Sequence, residues 1–324
     1  MDLLSEIRRP IEAELEDYRR LFERTLQTEN PLLRVALSHL LQRRGKLMRP
    51  MLVLLSARYV GSAGEAVTHA AVALELLHTA SLVHDDVVDE SDRRRGQHSV
   101  NALLDNKVAV LVGDFLLSKA LYHAAQTGSP EVVTWVAELG QTLSDGELLQ
   151  LANTDSELFC EEAYYEVIEK KTASLFSSCA RIGCRLAGGS GQEVDRMVEF
   201  GRQVGLCFQL RDDIFDYDKT NGAGKPTGND LREGKLTLPV IYALSREEGR
   251  ALRETALRVR RGEASEEETA RLVALAHEQG GISYAMWAME ECRDRALALI
   301  EKDRDPSMVE SLSAYARFVA DRSV

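Results

Sequence analysis

The chain is poor in residues that break helices, with 7 prolines and 22 glycines in 324 residues. Convincing apolar/polar alternation is absent, which argues against a β-rich fold. Five cysteines (Cys160, Cys179, Cys184, Cys207 and Cys292) are odd in number and show no CxxC spacing. That excludes a disulfide framework and predicts a reduced, cytoplasmic protein with buried thiols. No apolar run approaches the roughly 20 residues of a membrane span. The nearest, 70–83, is interrupted by Glu75 and His78. The first twenty residues, MDLLSEIRRPIEAELEDYRR, are charged throughout and lack the apolar centre of a signal peptide. An excess of basic charge is also missing. Forty Lys and Arg stand against 52 Asp and Glu, a net charge of -12, which argues against a nucleic-acid partner. It leaves room for a phosphate-bearing ligand, because a divalent cation can join carboxylates to phosphates.

What is present is helical texture. Hydrophobic residues make up 44% and charged residues 28%, an ordinary globular balance that excludes bulk disorder. Leu4, Ile7, Ile11, Leu15, Tyr18 and Phe22 recur at three- and four-residue steps and predict one helix, with Asn30-Pro31 as its stop. Pro50 opens a second helix that ends at Gly61. A long one follows from Glu65 to Glu90. Further helices are expected over 101–126, 130–152, 161–188, 192–217, 235–247, 265–278, 282–300 and 306–321. The whole chain, 1–324, reads as one all-α domain without internal repeats. Residues 218–235, DKTNGAGKPTGNDLREGK, break the pattern with four glycines, a proline and three lysines. A polar loop of this kind beside an acidic cluster suggests a lid or ligand contact.

Two acidic clusters carry the chemistry. Residues 84–89 read HDDVVD, placing Asp85 and Asp89 on one helix face and Asp86 about 100° round. Residues 212–216 repeat the device with Asp212, Asp213 and Asp216. Both clusters follow strongly apolar runs, so they emerge from core helices. Like charges at this spacing repel by a few tenths of a kcal/mol per pair, and a divalent cation relieves that. If the two helices face each other, six oxygen-donor groups converge, which suits Mg²⁺. Basic residues follow each cluster: Arg93, Arg94 and Arg95 after the first, Lys219, Lys225 and Lys235 after the second. Lys46 and Arg49 lie in RRGKLMRP, and Lys170 and Lys171 open KKTASLF. Cations beside acidic metal sites are what a diphosphate needs.

These strings, DDVVDESDRRRG, GELLQ, KTASLF, FQLRDDIFDY and GKPTGNDLREGKLTLP, resemble the trans-isoprenyl diphosphate synthases, in order and over most of the chain. The resemblance implies a bundle of long, mostly antiparallel helices around a central cavity, usually a homodimer. It implies that isopentenyl diphosphate is condensed with an allylic diphosphate by ionisation, condensation and elimination. Asp85, Asp89, Asp212 and Asp216 would hold Mg²⁺, three ions per substrate-bound site, with Asp86 and Asp213 assisting. Lys46, Arg49, His78 and Arg95 match positions that bind isopentenyl diphosphate. Arg94, Lys171, Thr172, Gln209, Lys225 and Lys235 match those near the allylic diphosphate. The family's GGKRxRP reads RGKLMRP here, so Leu47 stands where the family has a basic residue.

In that family, bulk just before the first motif stops chain growth. Ala80 and Ser81 are small, which predicts a long product, heptaprenyl to decaprenyl with octaprenyl the best single value, as used for quinone side chains. Deeper candidates for the tunnel stop are Leu74, Leu76 and Leu77, or Phe115, Leu116 and Tyr122 on a neighbouring helix. The rival readings are a geranylgeranyl diphosphate synthase, a terpene cyclase, and an HD-type metal phosphohydrolase built on His84-Asp85. The second DDIFD favours elongation over cyclisation, and the phosphohydrolase lacks an HxxxH partner.

Overall fold

In the computed structural model, residues 3–42, 45–94, 96–153, 159–217 and 227–321 are described. The chain divides into two compact units. The first comprises Met1–Gln141, Leu175–Gly201 and Glu301–Ala314, and the second Thr142–Ser174, Arg202–Ile300 and Tyr315–Val324.

The chain begins with α1 (Leu3–Arg8) and α2 (Glu12–Thr25), joined by a 3₁₀ turn over Arg9–Ile11. The single helix expected here is interrupted because Pro10 has no N–H to give to the ladder. The stripe itself holds, since Ile7, Ile11, Leu15 and Tyr18 are buried. Asn30-Pro31 is a start, not a stop. The Asn30 carboxamide accepts from the N–H groups of Leu32 and Leu33 at 3.0 and 3.1 Å, and Pro31 opens α3 (Pro31–Leu41). An Asn cap followed by Pro satisfies or removes the orphan donors of a first turn. Next come α4 (Met48–Val60), α5 (Glu65–Val88), α6 (Val100–Leu103), α7 (Asn106–Gln126) and α8 (Pro130–Ala152). Between α5 and α6 the two-residue strands β1 (Arg93–Arg94) and β2 (Gln97–His98) pair antiparallel.

The helix expected over 161–188 is three pieces: α9 (Glu161–Ile168), a π-helical turn over Glu169–Ala173, and α10 (Ser174–Leu186). Then follow α11 (Gly191–Phe215), α12 (Asn229–Arg232), α13 (Leu238–Ser245), α14 (Arg253–Arg260), α15 (Glu266–Glu278), α16 (Gly281–Ala298) and α17 (Pro306–Asp321). Three of these helices, α3, α12 and α14, are short or weakly patterned and carry no clear signal in the sequence.

In the first unit α5 runs antiparallel to α7. His69 meets His123 at 2.8 Å between Nδ1 atoms, while His84 Nε2 lies 3.2 Å from the Val110 carbonyl oxygen. The close approach depends on Gly113, where a Cβ would stand 2.1 Å from His84 Nε2. By length and composition both helices are apolar enough to cross a bilayer, but 61% of the apolar window of α5 is buried in the protein, as in a core helix. Only 39% of that of α7 is buried. In the second unit Tyr217, Leu231, Val240, Leu244, Val259 and Leu272 belong to one buried cluster. It anchors the chain on either side of 218–226, because Tyr217 follows the second acidic motif directly and Leu231 sits in α12.

Candidate active site

The first acidic cluster closes α5. Asp85 is half-buried, Asp86 is buried at 4% exposure, and Asp89 is exposed and caps the helix through its N–H to the Asp85 carbonyl at 2.8 Å. Three carboxylates at a helix C-terminus oppose the macrodipole. That cost falls when a cation binds. Asp86 faces inward and Arg94 Nε donates to its Oδ1 at 2.6 Å. The segment between them is pinned. Ser91 N–H donates to the Asp86 carbonyl at 2.9 Å, and Asn101 Nδ2 donates to the carbonyls of Asp86 and Ser91 at 3.2 Å each. Ser99 Oγ donates to the Ser91 carbonyl at 2.6 Å. Arg95 lies outside the described residues.

Lys46 is exposed ahead of α4. Arg49 is in the first turn of that helix, its guanidinium 5.5 Å from the centroid of the Phe176 ring. Leu47, the departure from the family pattern, takes the left-handed conformation at φ 58° as it caps α4. His78 is half-buried on α5, two turns before Asp85. Ala80 is buried, and Ser81 is half-buried with its hydroxyl donated to the His78 carbonyl at 2.9 Å. Leu74, Leu76, Leu77 and Leu116 are buried deeper in this unit, whereas Tyr122 is 56% exposed in the single chain.

The second cluster ends α11. Asp213 is buried, and both of its oxygens have donors: Tyr164 Oη to Oδ2 at 2.5 Å and Gln209 Nε2 to Oδ1 at 2.8 Å. Gln209 is oriented in turn by the Thr172 hydroxyl, which donates to its Oε1 at 2.7 Å. Asp216 accepts the N–H groups of Asn229 and Asp230 at 2.9 and 3.0 Å, and so holds the start of α12. Burial pushes the carboxyls of Asp213, Asp216 and Asp230 above the usual carboxylate range. The negative charges of the other two raise Asp230 further. Carboxyls crowded in this way are costly to ionise unless a cation joins them.

The π-helical turn carries Thr172, which joins this cluster through Gln209, and Lys171 beside it. A π turn inserts one extra residue and re-aims its side chains. Lys171 Nζ pairs with the Glu147 carboxylate and donates to Gln150 Oε1 at 3.0 Å. Gly146 on α8 makes room, since a Cβ there would lie 2.8 Å from Lys170 Cβ and 2.9 Å from Lys171 Cγ. Lys170 pairs with Asp145 and Glu166, away from Lys171. Lys235 donates from its backbone to the Asp230 carbonyl at 2.7 Å and from Nζ to Glu233 at 2.9 Å. Lys225, and residues 218–226 of the expected lid, lie outside the described residues.

Four residues of this site were given no role by the sequence. Glu147 and Gln150 stood in the GELLQ string and Asp230 in GNDLREGK. Tyr164, 49 residues from Asp213, carries no local signal at all.

The polyprenyl synthetase family pattern matches residues 30–276. Octaprenyl diphosphate synthase of Escherichia coli is 37% identical over 282 residues, 86% of each chain. The crystal structure of geranylgeranyl pyrophosphate synthase from Bacteroides thetaiotaomicron superposes with a TM-score of 0.87 at 43% identity, covering 99% of this chain and 100% of that one. Polyprenyl synthase from Caulobacter crescentus, complexed with calcium and isoprenyl diphosphate, gives 0.90 at 31% identity over 98% of both chains. The chain belongs to the polyprenyl synthetase family. It is an all-α prenyltransferase with the isoprenoid synthase fold.

Proposed function

We propose that this prenyltransferase condenses isopentenyl diphosphate with an allylic diphosphate repeatedly, to a long all-trans polyprenyl diphosphate. The observation that carries the reading is the joining of Asp213 to Thr172 through Gln209. It puts hydroxyl, amide and carboxylate groups in one hydrogen-bonded array, with Lys171 next in the chain. That is the chemistry of a metal-diphosphate site.

The donor set fits Mg²⁺. Every candidate ligand is a hard carboxylate oxygen, which suits a hard divalent cation. Mg²⁺ keeps its waters and takes one or two carboxylates plus substrate phosphates. Asp85, Asp89, Asp212 and Asp216 are its proposed holders, three ions per substrate-bound site. When bound, the ions neutralise the charge that develops on the departing diphosphate.

The chain's own residues do the rest. Arg94, Lys171, Thr172, Gln209, Lys225 and Lys235 bind the allylic diphosphate and stabilise it as the C–O bond breaks with its electron pair. Lys46, Arg49, His78 and Arg95 hold isopentenyl diphosphate so that its double bond attacks the allylic cation. The resulting tertiary cation then loses a proton to the released diphosphate and a new allylic double bond forms. The apolar faces of α5 and α7 keep water from the cation.

Ala80 and the octaprenyl relative support a product of heptaprenyl to decaprenyl length, octaprenyl foremost. A geranylgeranyl product is the second reading, favoured by the name of the 43% identical structure. The deciding experiment incubates the protein with Mg²⁺, isopentenyl diphosphate and farnesyl diphosphate, and sizes the products by mass spectrometry. Heptaprenyl or longer chains are expected. Geranylgeranyl as the final product would establish the second reading, and no chain growth would overturn both.

The reading includes a single functional domain, a cytoplasmic location and a homodimer. Support for the dimer comes from α7, whose outer face exposes Val110, Leu111, Leu121 and Tyr122 at 40 to 67%. Reversing the helix about Leu116 maps Val110 onto Tyr122, Leu111 onto Leu121 and Asp114 onto Ser118. Two antiparallel copies therefore match apolar to apolar, as an isologous two-fold contact requires. Leu111→Glu is expected to convert a dimer to monomer in sedimentation at micromolar protein. A wild-type monomer under the same conditions would remove the dimer from the reading.

A further inference from the structure

Asp213 presents a problem of physical chemistry that the reaction itself does not explain. It is 2% exposed, it sits between two other acids of its motif, and a buried carboxylate without donors is costly. Two neutral donors meet that cost. Tyr164, itself buried, donates to one oxygen at 2.5 Å. Gln209 donates to the other at 2.8 Å.

The direction of each bond follows from the groups. The Thr172 hydroxyl donates to Gln209 Oε1, so the amide nitrogen of Gln209 turns to Asp213. Tyr164 closes the array from the opposite side. Both ends of the array belong to one short stretch, Tyr164 on α9 and Thr172 in the π-helical turn. The two reach α11 separately, through Asp213 and Gln209. The π turn is a local departure from the α-helical ladder, and its Thr172 is tied to α11 through Gln209. Tyr164 supplies the other tie.

We propose that Tyr164 is a positioning residue for the allylic diphosphate. By fixing Asp213, and through it the Gln209 amide, it sets where the π turn presents Lys171 and Thr172. Tyr164 touches no substrate in this scheme. The inference rests on the assignment of Lys171 and Thr172 to the allylic diphosphate made above.

Tyr164→Phe removes one oxygen and keeps the ring. A loosened array displaces the diphosphate donors, and a misplacement near 1 Å costs from about tenfold to about a hundredfold in such sites. The expected result is an allylic KM raised about tenfold, with the isopentenyl diphosphate KM within about twofold of wild type. Calorimetric titration of inorganic diphosphate in Mg²⁺ buffer is expected to show the same weakening. An unchanged allylic KM and diphosphate Kd would overturn the proposal. So would a lowered melting temperature with both KM values unchanged, which is the pattern of a merely structural hydroxyl.

Should Tyr164→Phe not yield folded protein, Tyr164→His is measured in its place. Its shorter ring brings an N–H toward Asp213 in a longer, weaker bond, so about a threefold rise confined to the allylic KM is expected, and no rise overturns the proposal. Wild-type enzyme runs beside the variants. If it fails to elongate, the functional reading falls while the diphosphate titration still tests Tyr164. If it elongates and the variants match it, only the role of Tyr164 falls.

Discussion

Asp85→Ala is expected to lower the rate of chain elongation by about a thousandfold or more, with a melting temperature unchanged or slightly raised. The two halves of that expectation have separate causes. Loss of a group that places charge at a departing diphosphate removes transition-state stabilisation, where even a single donor is worth about 10² to 10³ in rate. Stability moves the other way because Asp85 is half-buried at the C-terminus of α5, close to two further acids. Removing it relieves repulsion and an unfavourable dipole contact, each a few tenths of a kcal/mol. Asp86→Ala supplies the contrast. Asp86 is 4% exposed and paired with Arg94 at 2.6 Å. Its loss removes a charge-assisted hydrogen bond between a buried carboxylate and the half-buried Arg94, at a cost of about 1.5–3 kcal/mol. Steady-state rates with Mg²⁺ and thermal melts of both variants make the comparison. A loss of less than tenfold in Asp85→Ala would remove Asp85 from the reacting site, and equal melting losses in both would contradict their different burial.

The contrast between Asp85 and Asp86 also shows what a sequence can and cannot carry. Helical spacing places Asp85 and Asp89 on one face and Asp86 round the side, and the structure keeps that division. Local order likewise carries the long helices: 130–152 was expected from periodicity and α8 spans those residues. Breakers were harder to read. Pro10 splits a helix that the apolar stripe runs straight through, and Asn30-Pro31 starts a helix, because capping depends on which side of the pair the ordered chain continues. The π turn over Glu169–Ala173 leaves no trace in a 3.6-residue period, since one extra residue looks the same as a slightly misaligned stripe. Contacts distant along the chain were the least legible. GELLQ and KTASLF were each visible as strings, yet their meeting, Glu147 and Gln150 on Lys171, is a product of packing that no spacing rule expresses. Tyr164 is the extreme case: an aromatic on a short helix reads as core until its hydroxyl is found on Asp213.

Ala80→Tyr is expected to shorten the product to about farnesyl or geranylgeranyl length while leaving the first condensations intact. Ala80 lies on α5 between His78 and Asp85, buried at 2% exposure, with Ser81 the next residue. On a helix it stands somewhat more than one turn before Asp85. A prenyl chain bound by its diphosphate near Asp85 and growing along α5 must pass this point early. Methyl and hydroxymethyl side chains leave it room. A phenol ring does not, because protein interiors are close-packed and cannot absorb that volume elsewhere. The same packing sets the price in stability, about 1–3 kcal/mol for an overfilled core position, so melting temperature must be read beside product size. The deeper side chains, Leu74, Leu77 and Leu116, are already large and buried. Replacing one of those with alanine opens a floor that Ala80 has left unguarded, and should lengthen the product only if Ala80 itself stays small. Mass spectrometry of products from Ala80→Tyr, and from Ala80→Tyr combined with Leu77→Ala, distinguishes the sites. Short chains in both place the stop at 80, whereas wild-type length in Ala80→Tyr would show that the growing chain does not follow α5.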